Sequence, residues 1–580
     1  MPANTQPTRI FDLLEVISSR PPGQVMFASV KNGDWHDYTV SDYRKYADLT
    51  SYALLNFGIS KGEPILSITH NRAEFNFADM GILQAGAVHV PLYPGVDVVK
   101  LSSVLDETKA RIAFISNKSV LRKIRQLPKC ELQLIVSFDP AVGAVSYEEF
   151  LQQGNENRQK LDAIKASVKP DDPASIIYLS GSNTPLKGVV LSHANHVFNL
   201  EYYCKSHHFD GCTHSISFLP LAHSFERTVN YSFQYLGVKV SYSEGITSLA
   251  GILKQKNPDV MLAVPLVLER IVENTKNEIQ KAKGINGWLA RIALRLAAKE
   301  KAGPAKKSFS LKNILFSLVF KGLRNFLGGN IKVMLCGGAA LRPEVLNILW
   351  AAGINTYEGY GLTEAGPLVS YNLKNAFKSQ SVGKLMPGVL VRIASDGEVL
   401  VKSGGLMEGY YKTEESPIDS EGWLHTGDIG EIDEEGFLTL TGTKKEIFKL
   451  TSGLYTDPRP IELQLEVFPH IDKIWVFGHN KPFLTAIVIP DYNSVNDKAD
   501  PDPAVKRTNS RPADSEIIRM EVEKEISSYN STCPKYDQIV KFELTDAVWT
   551  TENGFLSEDG TLNRQALYNK YRPLIEKMYL

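Results

Sequence analysis

Between residues 8 and 172, short apolar runs alternate with stretches whose apolar positions recur at helical spacing. The runs 64–68 and 111–115 are examples of these short apolar runs. From Asn71 the pattern predicts a helix that closes at Gly86, then a strand that ends at Pro91. This succession is that of a wound α/β lobe. A strand at 174–177 and a helix beginning near 194 flank a polar stretch, and a second α/β unit follows it with strands expected at 215–219, 260–264 and 331–335. The last three of these strands each run into a Gly- or Pro-bearing loop, where open α/β sheets place ligands.

Between 381 and 441 the pattern changes to short strands separated by Gly and Asp turns, as at 397–402 and 436–441, which predicts a β-rich subdomain. After Gly442, helix and strand patterns alternate again to Leu580. The Pro- and charge-rich stretch 496–512 interrupts them and is expected to be a surface loop. No internal repeat is evident.

A chain of 580 residues exceeds one ordinary core and suggests a large layered body with a smaller domain. Hydrophobic residues at 43% and charged residues at 22% are globular values, and a formal net charge of −1 gives no global pull toward nucleic acid. Five scattered cysteines without metal-ligand spacing point to free buried thiols in a reducing cytoplasm. The first residues lack a charged start followed by an apolar core, and no apolar run approaches spanning length, so a soluble, non-secreted chain is expected.

Composition shifts locally at 281–324, where Lys and Arg recur, Glu300 is the only acid, and apolar residues interleave at helical spacing. Trp288, Leu289, Ile292 and Leu296 form one stripe, and Leu311, Ile314, Leu315 and Leu318 another. Two readings stand: a basic amphipathic hairpin making peripheral contact with anionic lipid, or a helical pair whose stripe packs on the body.

The chemistry concentrates in a few polar stretches. YLSGSNTPLKGVVLSH at 178–193 reads as strand, polar turn, strand. Ser180, Gly181, Ser182, Asn183 and Thr184 are small or hydroxylated residues that can close around phosphate oxygens, with Lys187 as a mobile charge. A Ser-rich surface hairpin would carry the same residues. TYEGYGLTE at 356–364 reads as a post-strand loop able to stack an aromatic on a base and to offer Glu364 to a divalent metal.

The first stretch resembles the phosphate loop Y-T-S-G-T-T-G-x-P-K-G-V of the AMP-forming acyl-adenylate synthetases, and the second resembles that family's Y-E-x-Y-G-x-T-E motif without a break. CGGAAL at 336–341 is similar to the family's adenine wall, and GWLHTGDIG at 422–430 keeps its W-x-x-T-G-D motif. LPLAHSFER at 219–227 and the C-terminal run 550–564 resemble the long-chain fatty-acid–CoA ligases, closest to the bacterial ones. The likeness covers nearly the whole chain. It implies a large N-terminal AMP-binding domain (1–442) of two wound α/β lobes plus a β subdomain, and a small mobile α/β lid (443–580).

By the same resemblance, Ser180, Gly181, Ser182, Asn183, Gly338, Ala339, Glu358, Gly359, Tyr360, Gly361 and Asp428 bind nucleotide, with Tyr360 against adenine and Asp428 on the ribose. Thr363 and Lys187 face phosphate, Glu364 holds Mg²⁺, His223 flanks the reacting carboxylate, and Glu226 lies near the phosphate loop. Lys445 is the hinge and Gly453 belongs to the thiol tunnel.

Three positions depart from the family pattern. Thr184 replaces a Gly of the phosphate loop, Thr443 an Arg near the ribose, and Thr561 the Lys that bridges carboxylate and α-phosphate during adenylation. Losing one such stabilising group typically costs about a hundredfold in rate or more.

The implied reaction activates a fatty acid with ATP through acyl-AMP and passes it to the thiol of CoA or of a carrier protein. The departures predict slow adenylation. They equally suit a nucleotide- or acyl-AMP-binding pseudoenzyme of lipid metabolism, or an enzyme confined to the thioester half. Acyl chain length and oligomeric state are not written in these patterns.

Overall fold

The computed structural model describes all residues except 1–5, 32, 155, 180–185, 206–208, 305–310, 445–447, 452–454, 480, 492–514 and 558–559. The chain forms two compact units. The larger comprises Met1–Arg392, Leu400–Thr426 and Ile432–Thr439; the smaller comprises Ile393–Val399, Gly427–Glu431 and Leu440–Leu580.

Two sheets build the larger unit. One has eight strands in the order Gly409–Tyr410, Gly188–Ser192, Pro173–Tyr178, Val88–Leu92, Pro64–Ile68, Ile112–Ile115, Leu134–Ser137, Val145–Ser146. Its central strands are parallel and near-continuously apolar, so Leu66, Ile68, Val90, Ala113 and Ile115 can all be buried beneath the helices Val98–Thr108 and Lys118–Ile124. The other has nine, in the order Lys384–Leu385, Ser370–Tyr371, Asn355–Tyr360, Val333–Cys336, Val260–Ala263, His214–Ser217, Lys239–Tyr242, Val25–Lys31, Asp34–Thr39.

The helix Ala73–Gln84 is buried along its whole length, including Asn76, Asp79 and Gln84. Burial of that kind requires partners for each polar group. Asp79 accepts from Tyr231 at 2.6 Å and sits 2.6 Å from His89 Nδ1, and Arg227 forms an ion pair with it. Burial alone would raise the Asp79 carboxyl, but the Arg227 guanidinium and His89 overrule it and hold the group well below the carboxylate range. Asn76 accepts from Asn230 at 2.8 Å and from Gln234 at 3.0 Å, and donates to Tyr242 at 2.8 Å. His89 and Asp79 belong to the eight-stranded half, whereas Arg227, Asn230, Tyr231, Gln234 and Tyr242 belong to the helix Ser224–Leu236 and the nine-stranded sheet. A buried polar network therefore fastens the two halves of this unit.

The smaller unit holds a three-stranded sheet ordered Ile471–Phe477, Leu484–Pro490, Ile539–Leu544. Period-two alternation sends Ile474, Val476, Ala486 and Val488 to one face, under Ile461, Leu465 and the helix Ser515–Asn530. Trp475, Ile487 and Ile489 go to the other, against Leu567, Tyr571 and Ile575 of the helix Arg564–Met578.

The expected mixed α/β class, with a large N-terminal part and a smaller C-terminal one, is what the chain adopts. Several readings need correction. TYEGYGLTE is not one loop: Asn355–Tyr360 is a strand paired in parallel with Val333–Cys336, and only the residues after Tyr360 turn. The strand expected at 436–441 runs at Leu438–Thr443. All five cysteines are free thiols, but only Cys212 and Cys336 are buried, and Cys130 is exposed. The stripes of 281–324 pack on the body only in part: Ile292 and Leu315 are half-buried, whereas Trp288, Leu296, Leu311 and Leu318 are exposed. The stretch 496–512 lies outside the described residues.

Candidate functional site

In the nine-stranded sheet the chain passes from His214–Ser217 to Lys239–Tyr242 on one side, then to Val260–Ala263 on the other. The loops leaving the carboxyl ends of the first and last of these strands diverge, and such a divergence opens a crevice that ligands use. The loop to His223, the loop at Gly337–Ala339 and the turn 361–364 all leave that same edge, because their strands are parallel neighbours.

Asn71 fixes the approach to His223. Its side-chain amide donates to Leu219 O at 2.6 Å and Ser217 Oγ at 3.0 Å, and its oxygen accepts the Leu221 N–H at 3.1 Å. His223 is then the residue before the helix Ser224–Leu236, with extended backbone and a partly buried side chain. The next residue, Ser224, shares a 3.0 Å hydrogen bond with the hydroxyl of Thr363, which joins the His223 loop to the turn after Tyr360.

Register sets the second wall. Cys336 pairs with Glu358, so Gly338 and Ala339 follow one strand while Gly359, Tyr360 and Gly361 end its neighbour. A Cβ on Gly361 would lie 1.7 Å from Pro367 O, so only glycine lets the chain turn back there. Tyr360 is buried, and the partly buried Glu358 has its carboxyl pushed up to about 7 by desolvation.

The two ends of the candidate phosphate site meet through a residue absent from the motif reading. Tyr410 lies on the short strand Gly409–Tyr410, which pairs antiparallel with Val189–Val190 just beyond Lys187. Its hydroxyl donates to Glu364 Oε1 at 3.0 Å, and Lys187 Nζ lies 4.8 Å from the centre of its ring. Burial, and then the Glu364 charge, push the Tyr410 phenol far above its ordinary range, so it remains a donor. Lys187 also pairs with Glu415 at 2.7 Å on the surface. The signal for Tyr410 was faint, because a lone Gly-Tyr pair in an irregular stretch carries no periodicity.

Among the described residues no three His, Cys, Asp or Glu side chains converge as a metal site. A single partly buried carboxylate, Glu364, beside Lys187 suits a Mg²⁺ ion that takes most of its ligands from phosphates and water.

The remaining expected residues distribute otherwise. Ser180, Gly181, Ser182, Asn183, Thr184, Lys445 and Gly453 lie outside the described residues. Asp428, Thr443 and Thr561 belong to the smaller unit. There Gly427 donates its N–H to Glu398 at 2.9 Å, and Lys444 Nζ binds Glu398 at 2.6 Å and Asp396 at 2.7 Å. Thr561 O accepts the Ser557 N–H at 2.8 Å. Arg564, three residues on, is held by both oxygens of Glu462 at 2.9 and 2.7 Å.

The family model for AMP-binding enzymes matches residues 14–411, and the model for the AMP-binding enzyme C-terminal domain matches 445–580. The chain belongs to the AMP-binding enzyme family. Among relatives of this AMP-binding family member, the long-chain-fatty-acid–CoA ligase FadD15 of Mycobacterium bovis is 28% identical over 578 residues, covering 96% of this chain and 95% of that one. The peroxisomal long chain acyl-CoA synthetase 6 of Arabidopsis thaliana is 29% identical, covering 94% and 82%. Among solved structures, the anthranilate CoA ligase AuaEII in complex with anthranoyl-AMP superposes with a TM-score of 0.72 at 16% identity, covering 98% of each chain. ATP-bound MatB from Rhodopseudomonas palustris gives 0.72 at 18% identity, covering 98% and 99%. These structures share the adenylate-forming fold with this family member.

Proposed function

We propose that this protein activates a long-chain fatty acid with ATP, forming acyl-AMP and pyrophosphate, and then transfers the acyl group to the thiol of CoA. The carrying observation is the Lys187–Tyr410–Glu364 cluster, with Thr363 next to Glu364 bonded to Ser224 at the end of the His223 loop. The long-chain acyl group is taken from the relatives, whose names carry it along most of the chain.

In this reading the fatty-acid carboxylate attacks the α-phosphorus, the bond to the β-phosphate oxygen breaks, and pyrophosphate leaves. The thiol sulfur of CoA then attacks the acyl carbon and AMP leaves. Lys187 offsets phosphate charge, Thr363 donates to a phosphate oxygen, and Tyr410 orients the Glu364 carboxylate. Tyr360 stacks on adenine beside Gly338, Ala339, Glu358, Gly359 and Gly361, Asp428 accepts the ribose hydroxyls, and His223 flanks the reacting carboxylate. Glu364 would hold Mg²⁺, which supplies charge neutralisation on the phosphates when bound. Residues 1–442 and 443–580 would act as body and lid, with Lys445 as the hinge and Gly453 on the thiol path.

Adenylation is slow in this reading, because Thr561 can donate one hydrogen bond but cannot neutralise the charge gathering on phosphorus. Among the described residues of the smaller unit, Arg564 is paired with Glu462, and Lys444 with Glu398 and Asp396. That arrangement also favours a second reading, a protein that binds nucleotide or acyl-AMP and turns it over poorly or only in the thioester half.

The test incubates the purified protein with ATP, Mg²⁺ and mixed fatty acids, and measures pyrophosphate, acyl-AMP and acyl-CoA separately. Slow pyrophosphate release followed by acyl-CoA is the expected result. ATP binding without pyrophosphate across all chain lengths would overturn the ligase reading, and turnover of supplied acyl-AMP with CoA alone would assign the thioester half.

A further inference from the structure

The helices Gly284–Lys299 and Leu311–Val319 are packed inside out. The first buries its small residues, Gly287, Ala293 and Ala297, and leaves its large apolar stripe in water: Ile285 is 76% exposed, Trp288 58% and Leu296 47%. The second buries Phe316 and leaves Leu311 87% exposed and Leu318 68%. Both helices are in contact with each other and are anchored by neighbours, the first on Pro343–Ala351 and the second on Lys321–Phe326. Neither needs its exposed stripe for its own fold. Amphipathic helices ordinarily do the opposite, so a stripe this large in water marks a surface that something covers.

The charge around it identifies the cover. Lys281, Lys283, Arg295, Lys299, Lys301 and Lys321 are exposed, and the one acid of the segment, Glu300, is neutralised by Lys312 at 2.6 Å. Protein–protein interface cores exclude lysine, whereas an anionic lipid surface attracts it and accepts Trp, Leu and Ile between the headgroups. A chain whose net charge is only −1 thus carries one concentrated positive, apolar face. We propose that this face docks the protein on an anionic lipid surface, with Trp288, Leu296, Leu311 and Leu318 entering the headgroup layer and the flanking lysines and Arg295 facing lipid phosphates. No described helix is long and apolar enough to cross a membrane, so the contact is peripheral. The inference rests on this face alone and is independent of the reaction proposed above.

Sedimentation of the full chain with vesicles of phosphatidylcholine, with and without phosphatidylglycerol, tests it. The expected result is binding to the anionic vesicles, weakened by salt, with Trp288 fluorescence quenched by brominated lipid. Trp288→Ser with Leu296→Ser abolishes binding and quenching while thermal unfolding is unchanged, since both side chains are solvent-exposed. Arg295→Gln with Lys299→Gln lowers partition on the order of tenfold on anionic vesicles alone. Equal binding by the apolar double variant, no binding by the parent, or dimerisation through this face without vesicle binding would each overturn the proposal.

Discussion

Two side chains carry consequences out of proportion to their prominence in the motifs. Tyr410 bridges Glu364 and Lys187, so Tyr410→Phe should weaken ATP binding in the presence of Mg²⁺ by about tenfold, read by calorimetry, while the thermal stability of the chain stays close to that of the parent. Glu226, 4% exposed, has its carboxyl pushed up to about 8 by burial, with only Ser217 to lower it. Between the ordinary glutamate range and about pH 8 the folded chain keeps a proton there that the unfolded chain has lost. Stability therefore falls as pH rises through that window and the deficit is complete above it. Glu226→Gln should be more stable than the parent at high pH by a margin on the order of a few kcal/mol, and that margin should vanish below the glutamate range, as followed by denaturant unfolding across pH. The motifs singled out Lys187, Thr363 and Glu364, whereas Tyr410 left only a faint signal, because its place is set by pairing with Val189, far away in sequence.

Elements were legible where their period was strong. The helix at Ala73–Gln84 and the strands Pro64–Ile68 and Val260–Ala263 lie within a residue or two of where apolar spacing puts them. Asn355–Tyr360 was hidden because glycine and glutamate within it speak for a turn, and only pairing with Val333–Cys336 overrides them. The helix Gly284–Lys299 shows the converse limit: periodicity gives the stripe, but not whether the stripe or the alanines face the body. The polar network between the halves was not legible either, since Arg227 lies far in sequence from Asp79 and His89. Arg227→Met would leave the Asp79 charge buried with a lesser partner and should cost roughly 3–5 kcal/mol in chemical denaturation. Adding Asp79→Asn to it should restore part of that loss, which a double-mutant cycle would detect.

For the whole molecule, the chain's division differs from a single cut at 442, because Ile393–Val399 and Gly427–Glu431 join the smaller unit. Patterning could not show this, since it locates strands but not the neighbours they choose. Thr561→Lys together with Thr443→Arg should raise the rate of pyrophosphate release by about a hundredfold, measured with the fatty acid that the parent uses best. The Asp79–Arg227 pair spans 148 residues and bears on biosynthesis. At ordinary translation speeds the aspartate leaves the ribosome roughly 7–30 s before the arginine that neutralises it. Until then Asp79 has only His89 among its native partners, and the strand Val25–Lys31, which can already pair with Asp34–Thr39, still lacks its neighbour Lys239–Tyr242. The network that fastens the two halves is therefore completed late, whereas the core of the eight-stranded sheet, whose buried residues run from Leu66 to Tyr178, is already in hand when Arg227 arrives.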